Sequence, residues 1–188
     1  MNLYLPSSLT LKTYRLIVRK LNDFFSFLLK SQFNMCGKDF RCKPFVTHIS
    51  YPQNIRIGDN FRSLGLLYLY AEMGMISIGH GCSINSNVQL GAYHGEIFIG
   101  NNVLVGPNCV LRSSNHRYSA KNIPIKAQGH TLGRIIIEDD VWLGANVVVC
   151  SNVCIAQGCV IAAGSVVTRS TVPNMVYAGA PAKPIKKR

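Results

Sequence analysis

Residues 137–172 read IEDDVW-LGANVV-VCSNVC-IAQGCV-IAAGSV-VTRSTV, which is six hexapeptides in unbroken register. An aliphatic residue opens each hexapeptide, and a small residue or valine stands four places later. A period of six is neither the 3.6-residue period of a helix nor the two-residue alternation of an ordinary strand. It is the period of a short flat strand followed by a turn, and its repetition predicts a solenoid.

The same pattern extends upstream to Ile57. Three hexapeptides would close one turn of a triangular prism, with the leading aliphatic side chains inside and the parallel strands of successive turns about 4.8 Å apart. Glycine or asparagine beside the aliphatic residue is expected to supply the positive φ that the corners need. Counted from Ile57, the pattern predicts an all-β solenoid of about five turns.

The register is interrupted in three places, which the sequence predicts to be a turn of the solenoid that carries an insertion at 63–77, a bulged corner of three extra residues at 96–98 and a long loop at 117–136. Pro173 is expected to end the repeats. These breaks divide the chain into an N-terminal helical segment at 1–50, a β-helix domain at 51–172 that includes the loop, and a basic tail at 173–188.

Composition constrains the partners. Lys and Arg outnumber Asp and Glu by 20 to 8, which gives a formal net charge of +12 and calls for an anionic partner. A single Trp and the lack of interleaved basic and aromatic residues in the repeats argue against nucleic acid. We therefore expect a phosphorylated small molecule or a membrane surface rather than nucleic acid.

The seven cysteines are odd in number and form no C-x-x-C pair; they are Cys36, Cys42, Cys82, Cys109, Cys150, Cys154 and Cys159. Three of them, Cys82, Cys109 and Cys159, occupy the small-residue place of a hexapeptide, where a thiol acts as a compact hydrophobic group. The sequence thus predicts reduced structural thiols in a cytoplasmic protein. The N-terminus lacks the layout of a signal peptide.

Residues 9–33 are helical in character, with Ser7 or Ser8 as the expected cap. Arg19, Lys20 and Asp23 interrupt the apolar residues, so the segment does not read as a membrane span. Two interpretations stay open: a helix packed on the main body or a neighbouring subunit, and a basic amphipathic helix on a membrane surface.

Five segments in this order resemble the hexapeptide-repeat acyltransferases: IGNNVLVGPNCV at 99–110, Asn115-His116 before the long loop, IEDDVWLGANVV at 137–148, AAGSVVT at 162–168 and GAPAK at 179–183. The resemblance covers about residues 55–188. It is greatest to the branch of galactoside, maltose and xenobiotic acetyltransferases and polysaccharide O-acetyltransferases. It implies a left-handed parallel β-helix, a homotrimer, and acetyl-CoA and acceptor bound between neighbouring prisms.

His116 is the candidate catalytic residue. It closes the last hexapeptide before the loop, and its position matches the catalytic histidine of the family. An alcohol is a poor nucleophile until its proton is removed, and imidazole has a suitable pKa for a general base near neutral pH.

The loop at 117–136 is expected to cover the cleft and to help select the acceptor, with Tyr118, Gln128 and His130 as candidates. Asn85 falls where related sugar acetyltransferases carry an acceptor-binding asparagine, although it is equally interpretable as a corner residue. These relatives carry acidic residues where this chain has Ala92, Tyr93 and His94, so their acceptor contacts do not carry over whole.

For CoA, the resemblance points to six residues: Ala145, Ala163, Thr168, Arg169, Lys183 and Lys186. The two alanines would contact the pantetheine arm through their backbone groups, and the basic residues would face the phosphates. Trp142 is expected to pack between turns or at a subunit face. No metal is expected.

The predicted function is acetyl-CoA-dependent O-acetylation of a sugar hydroxyl in surface polysaccharide synthesis. The acceptor would be a sugar or lipid-linked saccharide, and the protein would be cytoplasmic or at the inner face of the membrane. The alternatives are an N-acetyltransferase on an amino-sugar nucleotide or xenobiotic, a zinc hydratase and a non-catalytic scaffold. The histidines lack the His-x4-His pair expected for the hydratase.

Overall fold

The computed structural model of the chain describes residues 8–43 and 47–188. The helix α1 spans Ser8–Lys30, which confirms the predicted helix, and the candidate cap Ser7 lies outside the described residues. Within the described part of the chain, no helix is long and apolar enough to cross a membrane. Short 3₁₀ turns occupy Pro52–Asn54 and Ile125–Ala127.

The remaining regular structure is β. The strands are β1 (Met35–Cys36), β2 (Thr47–Ser50), β3 (Ile55–Ile57), β4 (Arg62–Ser63), β5 (Leu67–Tyr70), β6 (Met75–Ile78), β7 (Ser83–Ile84), β8 (Val88–Gly91), β9 (Glu96–Ile99), β10 (Leu104–Val105), β11 (Val110–Arg112), β12 (Asn115–His116), β13 (His130–Thr131), β14 (Arg134–Ile137), β15 (Trp142–Leu143), β16 (Val148–Val149), β17 (Val153–Ile155), β18 (Val160–Ile161), β19 (Val166–Val167), β20 (Met175–Ala178) and β21 (Lys183–Lys187).

The strands form a three-faced parallel solenoid, as the repeat predicts. The first face has the order β1-β3-β6-β9-β14-β17, the second β4-β7-β10-β15-β18-β20-β21, and the third β2-β5-β8-β11-β16-β19. Five turns follow from β3, in agreement with the predicted count. A sixth turn precedes them, because β1 and β2 pair with β3 and β5, so strand pairing begins inside the segment predicted to come before the solenoid.

The turns differ in length. In the last two turns, paired residues are eighteen positions apart, as in Ile137 with Ile155. In most of the earlier turns they are twenty-one apart, as in Ile78 with Ile99, and in the turn that carries the long loop they are thirty-eight apart, as in Ile99 with Ile137. The three extra residues of these turns lie where the third face passes to the first, a place that we call the third-to-first corner.

The three extra residues were expected, but the places predicted for them and the predicted end of the solenoid were wrong. The segment 63–77 contains the regular strand β5, in which Leu67 and Leu69 are buried, and residues 96–98 belong to strand β9, in which Ile97 is buried. The prediction assumed a strict period of six. The longer turns add three residues at a corner, so the residues that follow the corner no longer fall in register with that period. Pro173 does not end the solenoid either, since β20 pairs in parallel with β18, and β21 then folds back antiparallel on β20.

The interior is filled by the leading aliphatic residues of the hexapeptides. Ile57, Ile84, Leu111, Leu143 and Ile155 are each fully buried, together with the ring of Phe61. Burying one such side chain contributes about 1.5–3 kcal/mol relative to leaving it exposed. The α-helix shares this core only near its C-terminal end, where the Ser26 hydroxyl donates to the Cys42 carbonyl and accepts from the Cys42 amide.

Asparagine supplies more of the left-handed residues than glycine does. Seven asparagines have φ between 56° and 63°; they are Asn60, Asn87, Asn102, Asn108, Asn146, Asn152 and Asn174. Some of their amides also bond between turns, as Asn87 donates to Asn108 at 3.0 Å and Asn108 donates to Asn146 at 3.1 Å. These stacked amides add turn-to-turn hydrogen bonds at the corner that follows the second face.

The glycines directly after the aliphatic residues have a different role from the predicted one. Their φ is not positive; instead, the next turn lies too close for a side chain. A Cβ at Gly144 would come within 2.7 Å of the Ala163 amide nitrogen. Gly164 is the opposite case, with φ +73° and no atom within 4 Å of a Cβ placed there.

This contrast predicts different costs for two identical substitutions. Gly164→Ala should lower the free energy of unfolding by about 1–2 kcal/mol, the cost of a left-handed alanine. Gly144→Ala should cost more, because the backbones of two turns must separate. Urea denaturation of both variants and the parent measures the difference, and an equal loss would contradict the steric role of Gly144.

All seven cysteines are free thiols, as predicted, and Cys82, Cys109 and Cys159 are buried in the core. Desolvation raises the pKa of the partly exposed Cys36 thiol to about 11, despite the opposing charge of Lys30. Because a raised thiol pKa favours the neutral form, little thiolate is present until the pH approaches that value.

We therefore expect iodoacetamide to modify Cys36 of the native protein about 100-fold more slowly at pH 8 than it modifies an unperturbed cysteine, because the thiolate is the nucleophile. The rate should still rise about tenfold between pH 8 and pH 9. Peptide mass spectrometry follows the modification, with urea-unfolded protein as the control. A native rate equal to the unfolded rate would contradict the burial of this thiol.

Candidate active site

A small hairpin projects from the third-to-first corner after β11. Strands β12 and β13 pair antiparallel, and His116 lies directly opposite His130. Their ring centroids are 4.1 Å apart with an interplanar angle of 40°. The loop that was predicted to cover the cleft thus returns and brings His130 against the candidate base, His116.

The loop between the two histidines is ordered by its own polar groups. The Gln128 side chain accepts from the Ala120 amide at 3.0 Å and donates to the carbonyls of Ala120 and Ile123 at 2.8 and 2.7 Å. Gln128 therefore organises the loop rather than facing the cleft. Tyr118 is 76% exposed and does not line the cleft.

His116 opens onto a cleft of about 660 Å³. Its lining combines aromatic, charged and small polar side chains: Tyr70, Glu72, Tyr93, Arg112, Ser114, Asn115, His116 and His130. These residues come from three successive turns, and all lie on or beside the third-to-first corner.

A continuous row of rings leads from the first turn to His116. Tyr51 meets Tyr70 edge-on at 5.9 Å, and Tyr70 stacks with Tyr93 at 6.2 Å. Tyr93 then meets His130 edge-on at 4.7 Å. Aromatic pairs at these separations are attractive, so each ring restrains the next and the cleft wall is preorganised.

Glu72 carries the negative charge of the cleft. It accepts a hydrogen bond from the Tyr70 hydroxyl. This bond, with a smaller effect of the Tyr51 hydroxyl, favours the ionised carboxylate and lowers the pKa of Glu72, whereas the bond to Glu72 raises the pKa of Tyr70 to about 12. Near neutral pH the cleft thus contains a carboxylate bonded to the Tyr70 phenol.

His130 is biased toward its neutral form. Desolvation lowers its pKa, and the neighbouring His116 and His94 lower it further. A neutral imidazole beside His116 can donate or accept a hydrogen bond without adding a positive charge to the cleft. The described residues include no cluster of His, Cys, Asp and Glu that could hold a metal ion.

The residues predicted to bind CoA lie on two corners of the prism. Ala145 and Ala163 occupy equivalent places on successive turns, after the second face, and the Gly164 amide donates to the Ala145 carbonyl at 2.8 Å. Thr168 and Arg169 follow β19 at the third-to-first corner, on the side of His116. Within one chain the two alanines are therefore a whole face away from His116.

The two predicted lysines lie apart along the closing strand β21. Lys183 pairs with Ala178, and the adjacent Ala182 amide donates to the Val166 carbonyl at 2.8 Å, so Lys183 lies near the corner of Ala163. Lys186 pairs with Val176, further along the second face.

Asn85 does not line the His116 cleft. It is half-buried at the corner after the second face, where its side-chain oxygen accepts a hydrogen bond from the Ser86 amide at 2.8 Å. In a single chain, Asn85 and His116 lie at opposite ends of the third face.

Four cleft residues escaped the sequence analysis: Tyr70, Glu72, Arg112 and Ser114. Tyr70 and Glu72 lie in the segment predicted to be an irregular insertion. A search with a period of twenty-one would have placed Glu72 one turn before Tyr93 and His94. The His94 amide in fact donates to the Glu72 carbonyl at 2.9 Å.

Comparison with known proteins identifies the family. The family model "Bacterial transferase hexapeptide (six repeats)" matches residues 134–169. A putative lipopolysaccharide biosynthesis O-acetyl transferase, WbbJ of Escherichia coli, is 32% identical over 151 residues, which cover 76% of each chain.

Two further relatives match over shorter regions. A putative acetyltransferase of Schizosaccharomyces pombe is 45% identical over 92 residues, which cover 48% of this chain and 43% of the relative. A galactoside O-acetyltransferase of Lactococcus lactis is 36% identical over 113 residues, covering 60% of this chain and 54% of the relative. The chain thus spans about half the length of these two proteins.

Solved structures share the fold. An N-acyltransferase from Bacillus cereus in complex with dTDP and 3-hydroxybutyryl-CoA superposes with a TM-score of 0.70 at 24% identity, covering 86% of each chain. A hexapeptide-repeat acetyltransferase from Vibrio cholerae complexed with acetyl coenzyme A gives 0.57 at 24% identity, covering 99% of this chain and 93% of the other. The repeats, the solenoid and these relatives together show that the chain belongs to the bacterial hexapeptide-repeat transferase family.

Proposed function

We propose that the protein is an acetyl-CoA-dependent O-acetyltransferase that modifies a sugar hydroxyl in surface polysaccharide synthesis. The observation that carries this proposal is the exposed imidazole of His116 beside a cleft of about 660 Å³ rich in hydrogen-bonding groups. The relatives named as galactoside and lipopolysaccharide O-acetyltransferases support the reaction and the acceptor class.

His116 acts as the general base. It accepts the proton of the acceptor hydroxyl as that oxygen forms the ester bond, and it returns the proton to the sulfur released from the thioester. The edge-on packing of Tyr93 against His130, and the tilted contact of His130 with His116, limit the positions that the base can adopt. Glu72 and Arg112 orient the acceptor by hydrogen bonds to its other hydroxyls.

The co-substrate supplies an activated acetyl group as a thioester. Ala145 and Ala163 present only methyl side chains at their corner, where a thin pantetheine arm could pass close to the backbone. Thr168, Arg169, Lys183 and Lys186 are exposed and are available to the phosphates. These residues fit the group chemically.

We further propose a homotrimer. Because Ala145 and Ala163 lie a whole face away from His116 in one chain, a complete site needs the corner of one copy to meet the next. The second and third faces also leave apolar side chains uncovered, including Leu104, Trp142 and Val148. A position of Trp142 at a subunit face agrees with this arrangement.

We place the protein at the cytoplasmic side of the membrane, where a lipid-linked saccharide is accessible. In α1, large apolar side chains such as Tyr14, Ile17 and Phe24 are more than half exposed, and the helix carries five cations against one carboxylate. An anionic lipid surface complements that composition. Flotation with anionic liposomes, with and without the helix, tests this contact.

A second candidate is N-acylation of an amino-sugar nucleotide or a xenobiotic amine. The Bacillus cereus structure, an N-acyltransferase with dTDP, favours the nucleotide sugar. Mass spectrometry of the product distinguishes the two reactions, because an acetyl ester is released by mild hydroxylamine and an amide is not.

We expect His116→Ala to lower turnover by about 100-fold or more, since general-base catalysis contributes about 10²–10⁴-fold. CoA release and acetylated sugar are both measured. His80→Ala serves as the matched control, because His80 lies at another corner and contacts Asp59. Near-normal turnover of His116→Ala with an unchanged oligomeric state would remove His116 as the base.

We expect CoA to raise the melting temperature, because a ligand at 100 times its Kd stabilises the native state by about 2.7 kcal/mol. Arg169→Ala should raise the KM for acetyl-CoA about tenfold and leave the acceptor KM unchanged, because only a phosphate contact is lost. Arg15→Ala is the control. The absence of any CoA stabilisation would instead favour a non-catalytic scaffold.

A further inference from the structure

A second cavity of about 290 Å³ adjoins the His116 cleft on the outer surface of the third face. It is lined by Tyr68, Tyr70, Gln89, Leu90 and Arg112. Because Tyr70 and Arg112 line both spaces, the two cavities form one groove, which runs from His116 along the third face. We call it the third-face groove.

The strand alternation builds this groove. Tyr68 and Tyr70 are the two outward residues of β5, about 7 Å apart along the strand. Tyr68 pairs with Gln89 of the next turn, and Tyr70 pairs with Gly91, which in turn pairs with Arg112. Gly91 makes room for the Arg112 side chain, since a Cβ there would lie 2.5 Å from a guanidinium nitrogen of Arg112.

The two tyrosine rings are held in fixed orientations. The imidazole of His48 stacks on Tyr68 with centroids 5.1 Å apart and planes 7° from parallel. His48 belongs to the preceding turn and covers one face of the Tyr68 ring. The other face of the ring is therefore directed toward the cavity. Tyr70 is fixed by its bond to Glu72 and its stacking with Tyr93.

These groups match the chemistry of a saccharide chain. A pyranose ring presents a C–H face that packs on an aromatic ring, and hydroxyl edges that need polar partners. The third-face groove supplies aromatic rings at two separate places, together with the carboxylate of Glu72, the amide of Gln89 and the guanidinium of Arg112. In Gln89 and Arg112 the polar groups are already aligned, as Arg112 donates to Gln89 at 3.5 Å.

We propose that the third-face groove binds an acceptor of at least two sugar residues, with Tyr68 as the platform for the second. The sugar to be acetylated lies beside His116, Tyr93 and Glu72, and the next residue of the saccharide stacks on Tyr68. This inference rests on the proposed function. It means that the enzyme acts on an assembled saccharide in preference to a free monosaccharide.

The test compares purified Tyr68→Ala, Tyr68→Phe and parent protein on matched acceptors. The acceptors are methyl glycosides of hexoses and N-acetylhexosamines, and disaccharides that contain the same units. The parent should show a kcat/KM at least tenfold higher for a disaccharide than for its methyl glycoside. Tyr68→Ala should reduce that ratio about tenfold without changing monosaccharide turnover, while Tyr68→Phe, which keeps the ring, should preserve it.

Equal kcat/KM values for both acceptor classes in the parent would overturn the proposal. So would a loss in Tyr68→Ala that is the same for monosaccharides and disaccharides, since that loss reports a general structural change. Failure to acetylate any sugar, with CoA still bound, contradicts the proposed function instead. Light scattering on each variant verifies that the oligomeric state is the same in all comparisons.

Discussion

Turn-on-turn hydrogen bonding along three parallel ladders is the constraint on which the whole molecule depends. Each strand must lie about 4.8 Å from its neighbours in register, so a residue in one turn fixes which residue lies above it in the next. Inside the prism this produces columns of buried aliphatic side chains, such as Ile57, Ile78 and Ile99. Outside, the same register produces columns of exposed side chains, and the candidate site is made from these columns.

The solenoid tolerates added residues only at its corners, because an insertion within a strand would break the ladder. The third-to-first corner absorbs them in several consecutive turns, and it carries Glu72, then Tyr93 with His94, and finally the His116 hairpin. Met73 and His94 adopt φ of 50° and 51° there, so these longer corners have their own fixed geometry. Polar and aromatic groups thus accumulate along one edge of an otherwise regular prism.

The predictions made from sequence were successful where the period was simple. The spacing of the hexapeptides and the resemblance to the family were enough to predict the fold, the buried cysteines, the terminal turns and the projecting position of His116. Tyr70 and Glu72 were missed because a twenty-one-residue turn is out of phase with a search in sixes. The pairing of His116 with His130 was also not accessible, since the return path of a twenty-residue loop depends on contacts such as those of Gln128 with Ala120 and Ile123.

The sequence by itself determined the solenoid, because aliphatic residues at every sixth position can be buried together only if the chain winds into a prism. It also determined the family, through segments whose order is specific. Only the tertiary structure decided which side chains share the cleft, because residues twenty-one positions apart become neighbours through the register of the ladders. It likewise decided that Ala145, Ala163 and Asn85 lie a face away from His116, since that separation depends on the corner each residue occupies.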